Sequence, residues 1–280
     1  MKRRTFYSLF LILLLSAALL IPQGCGSSAG KNSTDPSDSV ITQEDSSEMP
    51  GQSPESADQA TPSGTGPDSA DQSTPSDTSP EQSKEPFTMS DALFIGDSRT
   101  VGLSEYAGIS EADFFATVGM SVYNIYDKPV SVPGTGKVTL EQLLSQKKYH
   151  KIYVMLGINE IGNDFSEIVK KYEKLVDYIQ TYQPDATIFL QANLHVTQTR
   201  SDSGDYINNP AINRLNTAIA ELADKENIYF LDANCLFDDS NGHLDKEKSE
   251  DNTHVYAKYY KEWGDWIIDQ TKRLLEEGEH

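Results

Sequence analysis

Residues 87–280 alternate short, continuously apolar stretches with stretches of helical periodicity, which predicts an α/β protein. The expected architecture is a three-layer α/β/α sandwich built on a five-stranded parallel sheet. Two observations carry this. The five apolar runs do not alternate with polar residues, as strands covered on both faces would not. The segments between them place their apolar residues on one stripe.

The strands are expected at Ala92–Gly96, Asp113–Val118, Ile152–Leu156, Thr187–Leu190 and Ile228–Leu231. Ser166–Gln183 sets Ile168, Tyr172, Leu175, Val176 and Ile179 on one helical face. A second helix, Asn209–Asp224, opens with an asparagine cap and Pro210 in its first turn, followed by Ile212, Leu215, Ile219 and Leu222. A third, from about Val255 to Leu275, carries Tyr259, Trp263, Trp266 and Ile267.

The chain before residue 87 reads differently. Lys2, Arg3 and Arg4 precede an apolar run, Tyr7–Ile21, that is short for a bilayer span and ends at Pro22-Gln23-Gly24-Cys25. That arrangement resembles a bacterial lipoprotein signal, which implies residues 1–25 as signal, lipidation at Cys25 and a membrane partner through the lipid anchor. An uncleaved membrane anchor is the alternative; either exports the rest of the chain to an extracytoplasmic site at the cell surface. Residues 26–86 hold 12 acidic residues against Lys31 and Lys84 and contain an imperfect repeat, SADQATPSGT and SADQSTPSDT. So few apolar groups cannot offset ordering entropy, so this stretch is expected to be a disordered tether spanning about 45 Å.

Of the net charge of −20, residues 87–280 carry −13, which disfavours nucleic acid as a partner. With only Cys25 and Cys235, no disulfide framework is available, and Cys235 is expected to be a small buried hydrophobe. His150, His195, His243, His254 and His280 show no zinc spacing, so neither a metal nor a cofactor is expected. Gly134-Thr135-Gly136-Lys137 lacks the spacing and the hydroxyl residue of a phosphate-binding loop.

In parallel α/β sheets, reactive residues gather beyond the carboxyl ends of the strands. Gly96-Asp97-Ser98 follows the first strand, Gly119 the second and Gly157-Ile158-Asn159 the third, while Asp251-Asn252-Thr253-His254 precedes the last helix. Acyl transfer needs a nucleophile, a base and donors for an oxyanion. Each residue also has a plainer reading. Ser98 would cap a helix, Gly119 would serve a turn, Asn159 would cap a loop, and Asp251 with His254 would form a surface pair.

The four ordered blocks resemble those of the SGNH (GDSL) hydrolases, over essentially all of 90–275. The resemblance implies a flavodoxin-like fold and an ester hydrolase with Ser98 as nucleophile, His254 as general base and Asp251 orienting its ring. The oxyanion hole would comprise the N–H groups of Ser98 and Gly119 and the Asn159 side chain, with Gly119 offering close approach for want of a Cβ. Gly96 is expected to allow a tight turn, and Asp97 to brace it. Glu160 stands where the family commonly has aspartate. Arg99 is expected to pair with a local acid or to meet a polar or anionic substrate, His195 to be at most a rim or substrate contact, and His243 to be solvated. The expected substrate is a short acyl ester, such as acetyl, on a surface carbohydrate. An O-acyltransferase acting on a wall polysaccharide, or a glycan-binding protein without turnover, are the alternatives.

Overall fold

The computed structural model describes residues 87–277. The expected signal at 1–25, Cys25 and the tether at 26–86 lie outside the described residues. In chain order the elements are β1 (Ala92–Gly96), α1 (Ser98–Tyr106), β2 (Asp113–Ala116), β3 (Val130–Val132), β4 (Gly136–Val138), α2 (Leu140–Gln146), β5 (Lys151–Met155), α3 (Phe165–Tyr182), β6 (Thr187–Gln191), α4 (Gln198–Ser201), α5 (Asn209–Ala220), β7 (Ile228–Leu231), α6 (Asn234–Phe237) and α7 (Tyr260–Glu277). The main sheet has the order β2-β1-β5-β6-β7, and every pairing in it is parallel.

Successive strand residues point to opposite faces and build two cores. Leu93, Ile95, Ile152, Val154, Ile188 and Leu190 bury against Leu140, Leu143, Ile168, Leu175, Ile179 and Leu215 of α2, α3 and α5. Phe94, Tyr153, Met155, Phe189 and Tyr229 bury on the other face against Leu103 of α1 and Trp263 and Ile267 of α7. Three layers result, as the alternation predicts. On the second face the register aligns one aromatic per strand: Phe114, Phe94, Tyr153, Phe189 and Tyr229. Their rings stack with centroids 4.8, 4.3, 4.9 and 5.8 Å apart. Such pairs contribute about 0.5–1.5 kcal/mol each beyond area burial.

Differences from the expected elements are local. The second strand stops at Ala116, because Thr117 begins a turn closed by Met120 N–H to Thr117 O at 3.1 Å. The cap of α5 is Asn208, whose side chain accepts the Ala211 N–H, rather than Asn209. Val255 pairs with Ser249 in an antiparallel bridge, so α7 begins only at Tyr260. The β3–β4 hairpin and α2 are not expected from periodicity; three-residue strands are too short to show one. Of Gly134-Thr135-Gly136, the first two lie in the turn of that hairpin and Gly136 opens β4, paired with Val132.

Gly96 is needed for close packing rather than for a turn. A Cβ there would lie 2.7 Å from the Met155 carbonyl oxygen and would collide with the Thr100 hydroxyl. Gly96→Ala is therefore expected to lower stability by about 1–3 kcal/mol in denaturant titration.

Candidate active site

All the residues singled out in the sequence blocks sit at the carboxyl edge of the main sheet. Ser98 is the first residue of α1, directly beyond β1. The cap of this helix is Asp97, whose Oδ1 accepts the Arg99 N–H at 2.9 Å. The capping role is thus filled by the neighbour, and the Ser98 hydroxyl is left for another partner. Asp97 is fully buried, and burial raises its pKa against the opposing pull of the Arg99 cation and N–H.

That partner is His254. Ser98 Oγ lies 2.9 Å from His254 Nε2, and His254 Nδ1 lies 2.6 Å from Asp251 Oδ2. The other Asp251 oxygen accepts the N–H groups of His254 at 2.7 Å and Thr253 at 2.9 Å. Burial works to raise the Asp251 carboxyl, but these hydrogen bonds outweigh it and hold the pKa at about 2. An ionised Asp251 selects the imidazole tautomer with hydrogen on Nδ1, so that Nε2 accepts the Ser98 hydroxyl proton.

The loop bearing the pair is held from the segment after β6. Asn252, at φ 65°, accepts the Thr197 N–H on its carbonyl at 3.1 Å and the Thr197 hydroxyl on Oδ1 at 2.8 Å. Sequence reading misses Thr197, because its contact spans 55 positions and follows no local pattern.

The two other blocks form adjacent loops. Asn159 Nδ2 donates to Met120 O at 2.9 Å, and Val122 N–H donates to Glu160 Oε1 at 2.9 Å. These bonds brace the loop bearing Gly119 against the loop bearing Asn159. Asn159 Nδ2 carries a second hydrogen. Among the described residues, no backbone acceptor takes the N–H of Ser98 or of Gly119. Gly119 has φ 72°, and a Cβ there would meet nothing within 4 Å. Glycine is required here by backbone conformation, not by close approach. A half-buried nucleophile and base with an exposed acid, beside free N–H donors, can take up an acyl carbonyl and stabilise the charge that develops on its oxygen.

Several expectations are corrected. Arg99 is buried, forms no salt bridge among the described residues, and donates through Nη2 to Leu194 O at 3.4 Å. Its cation acts on the neighbouring Asp97 carboxyl through space, without an ion-pair contact. His195 is buried, with Nδ1 2.8 Å from Asp238 Oδ2 and Nε2 2.7 Å from Asn213 Oδ1, and is no rim residue. Its acid comes from 43 positions away, out of reach of local sequence reading. His243 is half-buried, its Nδ1 2.8 Å from Asn209 Nδ2. Cys235 is exposed, because the single turn of α6 directs Asn234 and Phe237 inward instead.

The fold and this arrangement define a serine ester hydrolase. A family description, the GDSL-like lipase/acylhydrolase family, matches residues 94–261, and the chain belongs to that family. No curated protein matches the chain. Among solved structures it is similar to a candidate platelet activating factor from Streptococcus pneumonia, at 22% identity and TM-score 0.51, over 64% of this chain and 83% of that one. A GDSL-like lipase from Bacteroides thetaiotaomicron has 13% identity and TM-score 0.50, over 66% and 91%. These likenesses agree with the fold described above. A family two carbohydrate esterase from Clostridium thermocellum, in complex with cellohexaose, is more distant, at 15% identity and TM-score 0.47 over 68% and 66%.

Burial pushes the Glu160 carboxyl from an ordinary 4.5 up to about 7, against the Val122 N–H and with the help of the Asp97 charge. A carboxyl raised on folding favours the native state below its unfolded pKa, and that advantage disappears as pH rises through the folded pKa. Wild type should therefore lose stability relative to Glu160→Gln between about pH 4.5 and 7, with the gap level above. Denaturant midpoints measured across that range test this.

Proposed function

We propose that the protein is an extracytoplasmic esterase that removes a short acyl group, such as acetyl, from a carbohydrate ester. The observation that carries the reading is the continuous chain from Ser98 Oγ through the His254 ring to Asp251, with contacts of 2.9 and 2.6 Å. Ser98 attacks the ester carbonyl as its proton passes to His254 Nε2. Asp251 stabilises the imidazolium that forms. The Ser98 and Gly119 N–H groups and the Asn159 amide receive the oxyanion, each such donor contributing about 2.7–4 kcal/mol to lowering the barrier. His254 then returns the proton to the leaving alcohol. Water repeats the sequence to release the acyl group.

The substrate class rests on two supports. One is the exported setting implied by the N-terminal sequence, with the domain tethered through a lipid on Cys25. The other is the openness of the site. Gly119, Asn159 and Asp251 are exposed, and the exposed Tyr123 and Tyr206 stand on loops beside them, Tyr206 against Gly162. Exposed polar groups around the nucleophile suit an ester carried on a bulky sugar polymer better than a long acyl chain, which needs an apolar channel.

Wild type is expected to hydrolyse 4-nitrophenyl acetate and acetylated glycans and to label with a fluorophosphonate at Ser98, while Ser98→Ala does neither. Equal turnover in the two proteins would remove Ser98 from the mechanism. For the anchor, a fatty-acid probe should label the wild-type chain and leave Cys25→Ala unlabelled; label retained in the variant would show that the lipid is not on Cys25.

A further inference from the structure

Gly119 is the third residue of the turn Thr117–Met120, closed by Met120 N–H to Thr117 O at 3.1 Å. With Gly119 at φ 72°, the turn is of type II. Types I and II differ by rotation of the central peptide, here Val118–Gly119, and a glycine in third place permits both. That peptide supplies the Gly119 N–H. Rotating it would carry the proposed oxyanion donor away from the site without breaking the turn.

One side chain holds this peptide. Lys128 Nζ donates to the Val118 carbonyl at 3.2 Å. In a trans peptide the carbonyl and the N–H point in opposite directions, so a cation fixed on one end sets the direction of the other. A charge-assisted bond at the carbonyl also polarises the peptide and makes its N–H a better donor. The Val118 side chain is 68% exposed and gives little hold of its own. In a domain rich in acids, Lys128 forms no salt bridge among the described residues. Among the described residues, this carbonyl is the one hydrogen-bond partner of its ammonium, at an exposed position. The next peptide is held separately, by Asn124 Nδ2 on Gly119 O at 3.1 Å.

We propose that Lys128 is a positioning residue for the oxyanion hole, keeping the Val118–Gly119 peptide turned so that the Gly119 N–H faces the reacting oxygen. The inference rests on Ser98 acting as the nucleophile and Gly119 as an oxyanion donor. Lys128→Met and Lys128→Arg test it, with the neutral 4-nitrophenyl acetate as substrate so that the lysine cannot act by attracting charge. In Lys128→Met, kcat and the rate of fluorophosphonate inactivation should each fall about 10-fold, short of the 10²–10³-fold loss on deleting a donor outright. KM should stay within about twofold and the thermal midpoint should be unchanged, as expected for a contact realised in the transition state. Lys128→Arg, which keeps a charged donor, should recover most of the rate. A Lys128→Met enzyme as fast as wild type, a loss confined to KM, or an arginine no better than methionine overturns the proposal. Wild type inert to both reagents overturns the Ser98 reading as well, whereas an active wild type with an indifferent Lys128→Met overturns this inference alone.

Discussion

The contact on which the rest of the site depends is the 2.9 Å hydrogen bond between Ser98 and His254, two residues 156 positions apart. Neither side chain is brought there by local structure alone. Ser98 opens α1, and His254 stands just ahead of α7, so the bond holds only while those two helices keep one relative placement. They are locked by glycines at the crossing. The Tyr260 ring rests where a side chain on Gly102 would be, and Ala107 packs against Gly264, where a Cβ would come within 2.9 Å. Trp263, fully buried between Phe237 and Tyr260, fills the space below. Close packing of this kind resists small displacements, which is what a hydrogen bond between distant residues requires.

The side proposed to receive the oxyanion is built on a different plan. Its two loops bury Met120, Val122, Ile125, Leu156 and Ile158 beneath them and are joined above by polar side chains reaching between them. Asn159 takes the Met120 carbonyl, Glu160 takes the Val122 N–H, and Asn124 bridges Gly119 O and Ser121 N–H within one loop. Among these braces Glu160 is a buried carboxyl whose protonation is shifted by its surroundings.

How much was legible in the sequence depends on the range of each interaction. Five apolar strand runs and the α3 and α5 stripes reflect burial, which acts residue by residue and leaves a periodic trace. Ser98, Gly119, Asn159, Asp251 and His254 were readable because each lies in a short block next to an element end. Thr197, Lys128 and the Asp238 partner of His195 left no such trace, since each acts through a loop contact that only the folded chain creates. Cys235 and Arg99 depart from their residue types for a related reason: type alone suggests a thiol inside and a guanidinium outside, but the single turn of α6 leaves the cysteine exposed and the folded chain buries the arginine.

The chain has two tryptophans, Trp263 and Trp266, and both lie on α7. Trp263 packs against Tyr260, six residues beyond the imidazole, and is shielded from water. Indole emission therefore comes from the helix that succeeds the base loop and from nowhere else in the molecule. A change in its wavelength when a ligand enters reports a change in the surroundings of α7, without any label being introduced.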